Sequence, residues 1–547
     1  MLKKSIAFLK INAAHLTVFL VIFIISWAGI GYRFLSQDET ETAVRGKTVT
    51  ESGFPRVIEK NGQVSVFVGG RELEEGALHR YTPWLQFYVA GAGVKLGQIL
   101  HMPQDRAVRT PFAFSHALTS GLISFGLTHY AGMVSPAAPV LALLYGIQTD
   151  RLLHNRTARY HALMDLLVMI GLLGCAGARL KRGWGLAALG SAIFLLPQTH
   201  TMTGSLISLL LGVLGGSIFI EMDVPLAEKI KKFVGSCLLP GLISLILMLI
   251  LVRPWAQTVW AKFDPYSAGH SYNIHRKFVY AYGFMVLLGG FLLLKRRWSL
   301  GAGLLACFAL ILILCPVIDQ SQMSQFRYYL PLWLFAMMSP IIFDWSSESL
   351  WVHWPVTVVM FLLIIIPEFT TRYYHPYQGI QIAIDDIRKE WKGQKQPLHE
   401  VVDIIRSQGQ ENPAILFDAV PLYANWYFPN ATVALMPDAS GRHKLNVTNP
   451  IWNKPLVMPD WHIWYPTRKC GVASIIDADY FASHVDLEKG RYQLTSRKLH
   501  QTADMCIERS WKTDLFNNYP FMLYREAGFT PAGGDKDILV LARKCGS

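Results

Sequence analysis

Charge is scarce in this sequence. Of 547 residues only 16% are Asp, Glu, Lys or Arg, while 52% are hydrophobic, and the mean hydropathy is +0.28. A soluble enzyme of this size carries more charge, so the balance points to a polytopic membrane protein. Metal-type spacing is missing as well. The seven cysteines include no CxxC pair, which removes the usual zinc and redox patterns. There is no internal repeat and no low-complexity tract. No convincing small-residue cleavage site follows the first hydrophobic helix, which therefore reads as a retained span. The C-terminal part has neither a glycine-rich nucleotide loop nor a serine-nucleophile elbow. No cofactor is implied, and a divalent metal, though possible, has no support.

What the sequence has is apolar length. Residues from about Ala13 to Tyr32 suffice to cross a hydrocarbon core of about 30 Å. Further spans are expected near 110–130, 134–149, 161–179, 184–197, 204–220, 233–252, 277–294, 299–318, 327–343 and 351–367, about 11 in all. Between the first two spans runs a polar stretch, 33–108. It contains an aromatic, glycine-interrupted segment from Tyr81 to Leu100 that reads as a helix lying at the interface. The expected organisation is a membrane domain over 1–367 and a soluble α/β domain over 368–547. In the latter, helices are expected at Ile380–Trp391 and Leu398–Ser407, and strands at Pro413–Asp418, Ala431–Met436 and Asp537–Ala542.

Net charge is +13, and its distribution excludes the nucleic-acid reading that such a value invites. Lys3/Lys4/Lys10, Arg179/Lys181/Arg182, Lys229/Lys231/Lys232 and Lys295/Arg296/Arg297 form compact clusters at alternate loops. That is the positive-inside pattern, with anionic lipid as the natural partner. It places the N-terminus in the cytoplasm and the tail outside, most simply in a bacterial inner membrane and periplasm. Four cysteines fall in apolar segments as small buried hydrophobes. In an exported tail one disulfide becomes possible, and Cys470 with Cys506 is the preferred pair, leaving Cys545 over.

Two features break the pattern. Asp38, Glu39 and Glu41 emerge just beyond the first span, on the outer side. They serve either as a solvated helix start, the simpler reading on position alone, or as a base facing a lipid-borne substrate. Cations also persist on the outer side against the topological bias: Arg151, Arg156 and Arg159; Arg253, Lys262, Arg276 and Lys277; Arg327. Headgroup contact and an anionic ligand such as a lipid phosphate explain them about equally.

Taken in order, these residues resemble the GT-C glycosyltransferases, specifically the group of protein O-mannosyltransferases and bacterial aminoarabinose transferases. The acidic turn after one span is Asp38-Glu39-Thr40-Glu41-Thr42-Ala43, followed by Glu51-Ser52-Gly53-Phe54-Pro55. The aromatic interface helix runs from Tyr81-Thr82-Pro83-Trp84 to Lys95-Leu96-Gly97. A second outer loop reads Arg156-Thr157-Ala158-Arg159-Tyr160-His161-Ala162-Leu163, with histidine where the group commonly has aspartate. His275-Arg276-Lys277-Phe278-Val279-Tyr280 and Arg327-Tyr328-Tyr329-Leu330-Pro331 complete the likeness, the former without the group's proline.

The resemblance implies an inverting transfer of a sugar from a polyprenyl-phosphate donor to a hydroxyl acceptor at the outer face. A hydroxyl needs a base as the bond forms, and Asp38 is the candidate, with Glu39 second. A phosphate leaving group needs cations rather than a general acid. Arg80, His275, Arg276, Lys277 and Arg327 fill that role, with Tyr328 as hydrogen-bond donor. Arg159, Tyr160, His161 and Tyr81 are the substrate-binding candidates, although His161 as a plain helix start and Arg159 as a headgroup contact weigh at least equally. Histidine at 161 weakens any divalent-ion requirement. Glu41, Asp150 and Asp165 read as structural. A transporter or flippase of lipid-linked sugars is the alternative, as is a polymerase or ligase using a lipid-diphosphate donor. Mid-depth charges and repeated halves, which a transporter favours, are not in evidence here.

Overall fold

Helices fall where the apolar runs do. The structure, a computed structural model, describes residues 2–58, 77–80, 82–133, 136–252, 267–321, 330–343, 345, 350–370, 375–410, 412–417, 422–433, 457–464, 480–486, 488–496, 499–513 and 537–546. In chain order the helices are α1 (Leu2–Trp27), α2 (Gln37–Ser52), α3 (Leu85–Leu100), α4 (Gln104–His129), α5 (Ala137–Ile147), α6 (Thr149–Asn155), α7 (His161–Arg179), α8 (Gly183–Leu195) and α9 (Thr201–Glu221). Next, α10 (Leu226–Phe233) continues through a π-helical turn, Val234–Leu238, into α11 (Leu239–Leu251). Then come α12 (Ser267–Leu294), α13 (Trp298–Ser321), α14 (Leu330–Met338) with a 3-10 turn at Ser339–Ile342, α15 (Leu350–Thr370), α16 (Gln378–Trp391), α17 (Pro397–Ser407) and α18 (Leu422–Tyr427). Each span expected beyond the first outer loop has a helix at its place, and the expected interface segment is the helix α3.

The chain forms two compact units. One comprises Met1–Ile30, Arg80–Gln86 and Arg109–Asp386. Its core is built from α1, α4, α5, α7–α9 and α12–α15, with Ile22, Leu141, Val168, Leu210, Leu304 and Phe335 fully buried. Four stretches, His161–Arg179, Thr201–Glu221, Leu226–Leu251 and Val352–Phe369, are long and apolar enough to cross a membrane. Large apolar side chains also point outward from the bundle, among them Ile24 (60% exposed), Ile246 (53%) and Leu287 (72%). Such exposure is costly in water and natural against lipid, so the unit is that of a multi-pass membrane protein.

The second unit comprises Gly31–His79, Phe87–Val108 and Ile387–Ser547. Among the described residues its strands are β1 (Ala414–Phe417), β2 (Thr432–Val433), β3 (Trp461–Trp464), β4 (Tyr480–Asp486), β5 (Arg491–Ser496), β6 (Gln501–Thr513) and β7 (Asp537–Lys544). They form one sheet in the order β2-β1-β3-β7-β6-β5-β4. β1 is parallel to β2 and β3, and the remaining pairs are antiparallel. Strands β1, β2 and β7 stand where the sequence led one to expect them, whereas β3 was not anticipated. The antiparallel run β4–β6 was not anticipated either, because its strands are polar on one face: β5 buries only alternate residues.

One expectation is corrected. The disulfide joins Cys506 to Cys545, not to Cys470. The reason is register: β6 and β7 are neighbours that pair Met505 with Lys544, and the Cys545 N–H donates to the Asp504 carbonyl at 2.8 Å, leaving the two cysteine Cα atoms 5.2 Å apart. Cys470 lies outside the described residues.

Candidate active site

In the sheet-bearing unit the acidic motif opens α2. Ser36 caps the helix: its Oγ accepts from the Glu39 N–H at 3.3 Å, and the Glu39 carboxylate accepts from the Ser36 N–H at 2.9 Å. This reciprocal capping box satisfies amides that a helix start leaves over. It occupies Glu39, which is 1% exposed. Asp38 sits in the same turn but is only half-buried, where the helix dipole favours a carboxylate.

One turn on, Glu41 is buried. A short bridge between Arg56 and Leu78, with the His79 N–H donating to the Pro55 carbonyl at 2.8 Å, brings His79 to it. His79 Nε2 lies 3.6 Å from Glu41 Oε1, and its ring stands edge-on to Phe87. Arg45, fully buried, donates from Nη1 to the Arg56 carbonyl at 2.9 Å. The acidic turn thus stands on a buried polar layer of Glu41, which was read as structural, and of Arg45 and His79, which the sequence reading did not place in the site.

Its entry is fixed from the other side. Phe34 stacks on Tyr427 with ring centroids 4.2 Å apart, and the Leu35 N–H donates to the Tyr427 hydroxyl at 3.3 Å. That hydroxyl donates to Asp105 at 2.7 Å, as does Trp426 Nε1 at 3.0 Å, with His399 Nε2 3.1 Å from the same carboxylate. Asp105 is the hub that ties the residues before α2 to α17 and α18.

In the helical unit a second polar cluster surrounds the turn between α6 and α7. Arg159, Tyr160 and His161, consecutive in the chain, are all buried there. The Arg159 guanidinium lies 5.8 Å from the Tyr160 ring centre, and the His161 ring lies 4.3 Å from Tyr160. Two histidines join them: His154, 5.1 Å from His161, and His200, 4.8 Å from Tyr160. The signal for His154 was its place at the end of a short polar helix, seven residues ahead of His161. His200 caps α9, its Nδ1 accepting from the Thr203 N–H at 3.3 Å.

Beneath this turn lies a dry ionic network. Arg151 donates to both oxygens of Asp165, at 2.8 and 2.7 Å, and to the Leu330 carbonyl. Tyr145 donates to Asp165 at 2.8 Å and Asn155 at 3.1 Å, and Asn155 also donates to His116 Nδ1 at 2.9 Å. His116 completes the chain by donating from Nε2 to the Gly146 carbonyl at 2.9 Å, and that partner fixes its tautomer. Asp165 holds the structural role expected of it.

Several displaced cations turn out to have partners within the protein. Arg80 donates to the carbonyls of Ile250 and Leu251, at 2.9 and 3.0 Å, closing the end of α11. Arg156 donates to the Ser26 and Ala28 carbonyls, both at 3.1 Å, and to Asp386 at 3.4 Å. Of the other phosphate candidates, His275, Arg276 and Lys277 belong to α12 by backbone, but their side chains lie outside the described residues. Arg327, Tyr328 and Tyr81 lie outside them altogether. Among the described residues no group of three or more His, Cys, Asp or Glu could hold a metal ion.

Chemically, the first site offers a part-exposed carboxylate on a rigid base, suited to taking a proton. The second offers aromatic faces, imidazoles and a guanidinium, a set that suits sugar rings and phosphate esters. No protein-family model and no curated protein matches the sequence. Among solved structures, the chain is similar to ArnT from Cupriavidus metallidurans bound to undecaprenyl phosphate, at 14% identity and a TM-score of 0.47, with 87% of this chain and 97% of that one covered. It is also similar to ArnT from the same organism in the apo state, at 13% identity and a TM-score of 0.42, with 70% of each chain covered. At that level of likeness the functional argument stands on the chain's own residues.

Proposed function

We propose that this protein is an inverting membrane glycosyltransferase that moves a sugar from a polyprenyl-phosphate carrier to a hydroxyl acceptor on a protein, lipid or glycan. The observation that carries the reading is Asp38: a half-buried carboxylate in the first turn of α2, where its neighbours Glu39 and Glu41 are buried. In the proposed step the acceptor hydroxyl attacks the anomeric carbon from the face opposite the phosphate. The new C–O bond forms as the bond to the phosphate oxygen breaks, and the hydroxyl proton passes to the Asp38 carboxylate. The polyprenyl phosphate leaves with the bonding pair, its charge met by cations.

Arg276, Lys277 and Arg327, with His275 and Tyr328, are proposed for that phosphate. Arg159, Tyr160 and His161, with Tyr81, are proposed for the sugar or acceptor. Arg80 enters this set only by exchanging its carbonyl partners for phosphate oxygens. The proposed topology has about 11 spans, a cytoplasmic N-terminus and the sheet outside a bacterial inner membrane. The Cys506–Cys545 disulfide supports an oxidising compartment for the sheet.

The test is Asp38→Asn, which keeps size and hydrogen bonding and removes the base. Transfer is expected to fall by about a hundredfold or more, while expression and binding of the polyprenyl-phosphate sugar persist. Unchanged turnover would remove Asp38 from the role. Arg276→Ala and Arg327→Ala should weaken donor binding more than acceptor binding.

A further inference from the structure

We propose that the cavity between α8 and α10 is a binding site for the phosphate headgroup of an anionic phospholipid, separate from the residues assigned to sugar transfer. The cavity measures about 760 Å3, and its lining includes Ala187, Glu228, Lys231, Lys232, Gly235 and Ser236. That volume lies within the range of about 300–1,000 Å3 usual for small-ligand sites.

Three observations converge there. The first is the backbone. Leu226–Leu251 runs as one long apolar helix, interrupted only by the π turn at Val234–Leu238. Such turns widen a helix and recur at functional sites. Here the turn supplies Gly235, where a side chain would meet nothing within 4 Å, and Ser236, whose Oγ donates to the Lys232 carbonyl at 2.6 Å.

The second is charge. Lys231 and Lys232 both face the cavity, and among the described residues Glu228 is the one carboxylate lining it. Glu228 lies 2.7 Å from Lys232, so it offsets one lysine. Lys231 is exposed and makes no ion pair among the described residues, which leaves a net positive mouth. Lys229 is committed elsewhere, donating to the Ile220 carbonyl at the end of α9 at 2.7 Å.

The third observation separates a lipid from free phosphate. On the same helix Leu226, Ile230, Val234 and Leu238 recur every four residues and are 72, 54, 39 and 45% exposed. This stripe starts a turn before the two lysines and continues past them along the helix. A headgroup in the cavity would leave its acyl chains against apolar side chains, whereas inorganic phosphate would make no use of them.

The experiment is native mass spectrometry of the full chain released from nanodiscs of equal parts phosphatidylglycerol and phosphatidylcholine. The wild-type protein is expected to retain phosphatidylglycerol preferentially. Replacing Lys231→Gln with Lys232→Gln should lower that retention by about fivefold or more and leave phosphatidylcholine unchanged. Ala187→Trp fills the cavity with every charge kept, and it should lower retention equally. Equal retention of the two lipids by the wild type overturns the proposal. So does a lysine effect without an Ala187→Trp effect, which would be general surface attraction. Displacement of the lipid by millimolar inorganic phosphate would assign the site to free phosphate and also overturn it. None of these outcomes bears on sugar transfer.

Discussion

Asp165 receives four hydrogen bonds from three side chains, Arg151, Tyr145 and Asn155, in a place that water does not reach. Burying a charge is tolerable only when it is paired, and removing one member strands the other. Asp165→Asn should therefore destabilise the helical unit by about 3–5 kcal/mol, read as a lower thermal midpoint in detergent. The double change Arg151→Met with Asp165→Leu should cost less than the sum of the single ones, because no charge is left stranded. A surface role for this pair would leave the midpoint unmoved.

His462 makes the opposite case, a buried group kept neutral. It lies on β3 with its Nδ1 2.7 Å from the Tyr492 hydroxyl, and burial pushes its pKa down to about 3 from 6.5. Below pH 6.5 the unfolded chain binds a proton that the folded sheet refuses, so stability rises with pH across the window from about 3 to 6.5 and is lost as pH falls through it. The slope approaches about 1.4 kcal/mol per pH unit. Hydrogen exchange of β3 and β5 amides in the full chain should quicken between pH 6 and 4. In the His462→Phe, Tyr492→Phe variant that added acid sensitivity should vanish; its persistence would mean that another group is responsible.

At the scale of elements, α2 and α3 cross at glycine. A Cβ on Gly91 would lie 2.9 Å from the Gly46 carbonyl oxygen, so no side chain fits without parting the helices. Gly91→Val should cost about 1–3 kcal/mol and reduce transfer, because α2 carries Asp38; full activity and stability would show that the crossing is slack. This crossing explains a sequence feature that could be seen but not interpreted, the glycine-interrupted interface segment. Helix positions were legible because a 20-residue apolar run has few other uses. The acidic turn was legible because Asp38, Glu39 and Glu41 stand together just beyond the first apolar run; the Ser36 cap that completes it was not read. What stayed hidden was partnership across distance. Nothing near Arg80 announces that Ile250 and Leu251 await it, and nothing near Cys506 selects Cys545 over Cys470. The polar layer of Glu41, Arg45 and His79 likewise arises only when the bridge at Arg56 and Leu78 closes.

At the scale of the whole molecule, the chain divides its labour between a bundle with lipid-facing apolar flanks and a unit that holds the acidic turn to a seven-stranded sheet. Arg80, Arg151 and Arg156 close helix ends and pair a buried acid, so they first serve the fold. The phosphate role proposed for Arg276, Lys277 and Arg327 is correspondingly more specific. In the proposed function this architecture makes a covalent bond rather than moving a lipid across the membrane. The most direct measurement gives purified protein a polyprenyl-phosphate donor with an isotopically labelled sugar, supplies candidate hydroxyl acceptors, and follows the label by mass spectrometry. The account predicts label joined to the acceptor with inverted anomeric configuration, free polyprenyl phosphate in equal amount, and neither product with Asp38→Asn. Label that changes leaflet while still attached to its carrier would contradict it.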